Sequence, residues 1–163
     1  SPKPRIASVG ALPLGLESMC EELIVEVRTK LNVTDEFLKE LNHIFPDGMK
    51  IVAVEEVQNR KPRLPISISY NYEAPESEIG LIKDRYQNDK IQPVVNHRAK
   101  KIDIVKEINN VEVLATGVEF TLNCNEQGSA TSPFLVLGAL LDVKESEARL
   151  LRVRKVRNNY ASL

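Results

Sequence analysis

The sequence predicts an α+β fold: an antiparallel sheet with helices on one face, arranged as two ferredoxin-like ββαβ halves. Three observations predict it. Residues 111–115 and 118–124 flank Thr116-Gly117 at the spacing of a two-residue hairpin loop, which makes an antiparallel pair. The helical segments carry one apolar stripe each, so each covers a sheet from one side only. Residues 5–57 and 111–156 both run strand, strand, helix, strand, an order shared without any residue-by-residue repeat.

Taken along the chain, residues 5–10 alternate weakly as a short strand. Residues 21–28 set Leu23, Val25 and Val27 against Glu22, Ile24 and Glu26, which predicts a strand with one face in the core. Thr34 is a good N-cap, with Asp35 and Glu36 in the first turn where the helix dipole favours negative charge. Phe37, Leu38, Leu41, Ile44 and Phe45 follow at helical spacing, and Pro46-Asp47-Gly48 ends the helix near residue 45. Residues 49–57 read as a strand covered on part of both faces. Ile66, Ile68, Tyr70 and Tyr72 alternate with Ser67, Ser69 and Asn71 in the cleanest period-two run of the chain. Pro75 and Glu76 open a helix that continues through Tyr86, and residues 88–101 turn polar, as a loop or short edge strand. Ser132-Pro133 caps an apolar helix to Leu141, and residues 150–156 read as the closing strand.

With 163 residues the chain is expected to be a single domain that buries its own core, divided as a first half over 1–74, a connecting helix and loop over 75–110, and a second half over 111–163. Ser1 is not a start methionine, so a fragment of a longer polypeptide is expected. Lys and Arg number 22 against 23 Asp and Glu, which excludes a global field toward nucleic acid or membrane and makes any polyanion site local. Two cysteines are too few for a disulfide framework, and no apolar run approaches the roughly 20 residues of a membrane span. The expectation is a soluble protein of the reducing cytoplasm, with no membrane partner.

No catalytic constellation is visible. Cys20 is followed by Glu21 and Glu22, whose charge raises a thiol's pKa, and Cys20 and Cys124 read as small core residues. His43 and His97 have no Cys or carboxylate at ligand spacing, so no metal site is expected. Glu55 and Glu56, adjacent on a predicted strand, point to opposite faces and cannot work as a pair. Neither a Walker pattern nor Gly-x-Gly-x-x-Gly occurs. The remaining signal is basic clustering: Arg60, Lys61 and Arg63; Arg98, Lys100 and Lys101; and Arg152, Arg154 and Arg157 beside Arg149 and Lys155. Arg152 and Arg154 share a strand face and could track phosphates if that face meets solvent. The plainer reading is a charged edge strand that deters sheet-to-sheet pairing. Tyr70 and Tyr72 could stack bases, against the plainer alternative of core packing.

Pro2-Lys3-Pro4-Arg5, Leu12-Pro13-Leu14-Gly15-Leu16-Glu17-Ser18, Phe37-Leu38-Lys39-Glu40-Leu41-Asn42, Phe45-Pro46-Asp47-Gly48 and Ala53-Val54-Glu55-Glu56-Val57 are similar to the uncharacterised radical-SAM-linked domain family. Its members stand alone or follow cobalamin-binding-like and radical SAM regions. The resemblance is specific over residues 2–57, looser after Tyr72, and lacks the strand-helix segment that normally precedes the proline lead. It implies a non-catalytic accessory domain that presents a substrate, possible RNA or tRNA, to a radical SAM region in cis or in trans. The iron-sulfur cluster and S-adenosylmethionine are then expected only in that linked region, because its three closely spaced cysteines have no counterpart here. Residues 41–57 more faintly resemble TruA-type tRNA pseudouridine synthases, but the place of their catalytic aspartate falls on Pro13 or Leu14. An RNA-modification enzyme with an unrecognised site, and a protein-docking module with an apolar sheet edge, are the alternative expectations.

Overall fold

The computed structural model describes residues 5–8, 12–58, 61–96 and 98–162. In chain order the strands are β1 (Ile6–Ser8), β2 (Glu17–Ser18), β3 (Leu23–Val25), β4 (Ser67–Glu73), β5 (Val94–Val95), β6 (Lys101–Ile102), β7 (Ile108–Leu114), β8 (Gly117–Asn123) and β9 (Val153–Asn159). The helices are α1 (Asp35–Ile44), α2 (Glu76–Gln87), α3 (Ile104–Glu107), α4 (Pro133–Leu141) and α5 (Glu145–Ala148). The fold is α+β, in two compact units: Ser1–Ser8 with Leu23–Pro62, and Val9–Glu22 with Arg63–Leu163.

In the first unit β1 and β3 pair antiparallel, Ile6 opposite Val25. Thr34 caps α1 as expected, its hydroxyl accepting from the Phe37 N–H. The helix stops at Ile44 before the Pro46 turn, where Gly48 takes the left-handed conformation that only glycine adopts freely. Residues 49–57 are not a strand. An extended segment becomes one only when a neighbour supplies ladder hydrogen bonds, and here the Asn42 side chain takes that place. Its amide donates to Ile51 O at 2.9 Å and to Leu38 O at 3.0 Å, and its carbonyl accepts from Ile51 N at 2.7 Å. The face of β3 expected in the core is also outside it: Leu23, Val25 and Val27 are all exposed. No described side chain of this unit is buried.

The second unit holds a five-stranded sheet in the order β2-β9-β4-β8-β7. Strands β9, β4, β8 and β7 are antiparallel neighbours, and β2 adds to β9 in parallel, so the sheet is mixed. The run β4-α2-β7-β8-α4-β9 is strand, helix, strand, strand, helix, strand, with its strands in the spatial order fourth, first, third, second. Among the described residues this ferredoxin-like pattern occurs once, over residues 67–159. The ββαβ group expected over 111–156 is therefore three strands of that sheet with β4 inserted between β9 and β8. The hairpin forms, but its two-residue loop is Ala115-Thr116, and Gly117 opens β8 opposite Leu114. The closing strand begins at Val153 rather than at residue 150, because α5 and its following turn occupy the residues before it.

One sheet face is apolar, with Ile68, Tyr70 and Tyr72 from β4, Val118, Phe120 and Leu122 from β8, and Val153 from β9 in the core. Helix α4 is buried along all its length, as its uninterrupted apolar sequence requires. Ser132 caps its start, and Asp142 ends it in a left-handed turn whose N–H donates to Gly138 O. Pro13-Leu14-Gly15-Leu16 forms a turn closed by Leu16 N donating to Pro13 O at 3.1 Å, with Gly15 at φ 86°. That positive φ is what glycine supplies, and the turn delivers Leu16 to the core just before β2 docks on β9. Among the described residues no helix is long and apolar enough to cross a membrane.

Candidate functional site

The basic residues singled out in the sequence fall into distinct settings. Arg60 lies outside the described residues, and Lys61 belongs to the first unit. Arg63 is in the second unit, over the Tyr160 ring at 4.9 Å from its centroid and donating to Ala161 O. The closing-strand arginines lie on the polar face of the sheet, opposite the core, and each has a carboxylate partner. Arg154 meets Glu17 at 3.0 Å, Arg152 meets Glu17 at 3.3 Å and Glu73 at 3.4 Å, and Arg157 meets Glu119 at 2.8 Å. The hydrogen bond from Arg154 holds the Glu17 carboxyl below its usual pKa. The register explains the pattern: Glu17 stands opposite Arg154 in the β2–β9 pair, and Asn71 opposite Arg154 in the β4–β9 pair. Cations and carboxylates thus alternate across strands, a self-neutralised face rather than an open phosphate track.

Arg98, Lys100 and Lys101 are different. Arg98 and Lys100 sit on the turn between β5 and β6, where Asn96 Oδ1 accepts from the backbone N–H groups of both at 3.0 Å, and Lys101 opens β6. All three are exposed, and none has an acidic partner among the described residues. Tyr70 and Tyr72 are core residues, so neither ring offers a free face for a base. Tyr70 stacks on Phe120 at 5.6 Å, and Tyr72 donates to Glu78.

The second unit also contains a cleft of about 90 Å³ that sequence reasoning missed, lined by Leu16, Glu21, Ile68, Tyr70, Lys155 and the 128–133 segment leading into α4. Lys155 follows Val153 by two positions, so the strand alternation turns its side chain to the core face, where only 7% of it is exposed. Its Nζ lies 2.7 Å from Glu21 Oε1, which also accepts from Ser18 Oγ at 2.7 Å. Burial pushes the thiols of Cys20 and Cys124 up, and the nearby Lys155 charge partly offsets this. For Cys20 burial outweighs the acidic neighbours Glu21 and Glu22 on which the sequence argument relied. Burial likewise raises the Tyr70 phenol far above its ordinary value. A lysine at an apolar position of a strand was the signal that could have found this cleft.

His43 lies at the exposed end of α1, in a shallow groove with Lys39, Glu40 and Ile44. His97 is outside the described residues. Among the described residues no group of three or more His, Cys, Asp and Glu is placed to hold a metal ion.

A family model described as "Uncharacterized protein conserved in bacteria (DUF2344)" matches residues 1–132. No curated protein and no solved structure matches the chain.

Proposed function

The chain belongs to the DUF2344 family of uncharacterized proteins conserved in bacteria, and we propose that it acts there as a non-catalytic accessory domain that docks on a partner protein through its first unit. The observation that supports this reading is the absence of any buried side chain among that unit's described residues, which leaves several large apolar side chains facing solvent. Ile44 is 78% exposed and Val52 76%, and Ile6, Leu23, Val25 and Met49 are exposed with them. Burying a side chain of this type contributes roughly 1.5–3 kcal/mol, so a surface of several is a strong incentive to association. The partner this reading names is a radical SAM region, in cis or in trans, on the resemblance carried by residues 2–57. The iron-sulfur cluster and S-adenosylmethionine belong to that partner.

Titration calorimetry of the chain against a purified radical SAM region tests the reading. Binding is expected, and Ile44→Asp with Val52→Asp is expected to weaken it at least about tenfold, the loss of one to two apolar anchors, with an unchanged circular dichroism spectrum. A double variant that binds like the parent, or a parent that does not bind, rejects it.

A second reading, RNA binding, is favoured by the unpaired cations of the β5–β6 turn. In a tRNA titration at rising salt, Arg98→Ala with Lys100→Ala and Lys101→Ala is expected to flatten the dependence of log affinity on log salt by about 2–3. Arg152→Ala is expected to leave that slope unchanged, since Glu17 and Glu73 already hold its charge. A slope that responds to Arg152 and not to the turn contradicts this assignment.

A further inference from the structure

We propose that the cleft beside Lys155 binds a small aliphatic carboxylate, and that Glu21 occupies the carboxylate position when the ligand is absent. The site is built rather than incidental. Lys155 brings an ammonium group to the core face of β9, in a place where an isolated charge is strongly disfavoured. What satisfies it is a carboxylate, and that carboxylate comes from the segment between β2 and β3, on a side chain that stays 35% exposed. Glu21 can therefore swing into water and leave the ammonium free for an equivalent group.

Tyr70 is the second and independent sign. The residue is only 4% exposed and lines the same cleft, yet its hydroxyl has no hydrogen-bond partner among the described residues. By contrast, Tyr72 and Tyr160 each donate to a glutamate. Among the described residues the buried side-chain atoms left without a partner are Arg85 Nε and Asn158 Oδ1, so the Tyr70 hydroxyl meets solvent in the cleft and is free to donate to a ligand that replaces that solvent. An oxygen of a bound carboxylate would take the hydrogen bond from Tyr70 while facing Lys155. Leu12, Pro13, Leu16 and Ile68 form the apolar wall against which a short aliphatic stem packs. The free space holds a few water molecules, which limits the buried part of the ligand to a carboxylate and a stem of a few carbons.

Because Glu21 competes from within the chain, only the fraction of molecules with Glu21 displaced is competent to bind, and removing its charge should raise affinity. Saturation-transfer NMR and line-shape titration with propionate test this, with propionamide as the neutral isostere and inorganic phosphate as the alternative anion. The parent is expected to bind propionate weakly, Glu21→Gln about tenfold more tightly, and Tyr70→Phe several-fold more weakly with an unchanged melting temperature. Propionamide is expected not to bind. A purely structural Lys155–Glu21 pair predicts no binding by either the parent or Glu21→Gln up to tens of millimolar, and that result overturns the proposal. So does weaker binding by Glu21→Gln, binding of propionamide as tightly as propionate, or binding of phosphate alone. Tyr70→Phe keeps the test open should changes at Glu21 disturb folding.

Discussion

Phe120→Ala is expected to lower the free energy of unfolding by about 3–5 kcal/mol, the cost of deleting a wholly buried aromatic side chain. Phe120 is fully buried at the middle of β8, opposite Val111 on one side and Tyr70 on the other. Its ring stacks on that of Tyr70 with an interplanar angle of 23°. Truncation removes both this contact and the packing of the ring within the hydrophobic core. Since small proteins are stable by only about 5–15 kcal/mol, the variant forfeits a large share of the total. Urea unfolding followed by far-ultraviolet circular dichroism measures the loss. Phe120→Leu, which keeps most of the volume, should cost about 1.5 kcal/mol or less. Equal, small effects of the two substitutions would mean that β8 is not the centre of the core.

Gly117→Ala is the second large effect, expected to cost about 3 kcal/mol through overpacking although it adds a single methyl group. A Cβ at this position would stand 2.2 Å from Tyr72 O and 3.2 Å from Glu73 Cα, both backbone atoms of β4. Neither can rotate away, so the strands must separate at the Gly117–Glu73 end of their ladder. The reason for glycine here is the approach of a neighbouring strand rather than the shape of the turn. Thermal unfolding of Gly117→Ala beside Thr116→Ala separates the two explanations. A turn requirement makes the substitutions comparable in cost, whereas the close approach makes only Gly117→Ala severe.

These two positions show what was legible in the sequence and what was not. Strands β4, β7 and β8 and helices α1, α2 and α4 follow from local signals: alternation at Ile68-Tyr70-Tyr72, the Thr34 and Ser132 caps, and hairpin spacing near Gly117. The elements that went astray depend on a partner. Residues 49–57 alternate as a strand should, but Asn42 meets their backbone in place of a neighbouring strand. Strand β2 is two residues long and has no pattern of its own, because its parallel seat on β9 is a long-range pairing. Strand order has the same character. The insertion of β4 between β9 and β8 cannot be read from a linear succession of elements, and it is this that replaces a picture of two halves with a single ferredoxin-like sheet.

The candidate sites divide on the same line. Clustering of basic residues is visible in the sequence, whereas their neutralisation is not, since Glu17, Glu73 and Glu119 come from three other strands. Lys155 was grouped with the surface arginines next to it. Only the parity of its position, two residues beyond buried Val153, places its ammonium beside Glu21 instead.

The assignment of residues 9–22 to the sheet-bearing unit has a practical meaning for dissecting the molecule. The polypeptide crosses from one unit to the other at residues 8–9, 22–23 and 62–63, so neither body is encoded by one uninterrupted stretch. A single protease nick leaves the two bodies joined by the remaining crossings. A simple truncation either strips β2 from the edge of β9 or carries away β1. Separating the two bodies by genetics requires joining residue 8 to residue 23 in one product and residue 22 to residue 63 in the other.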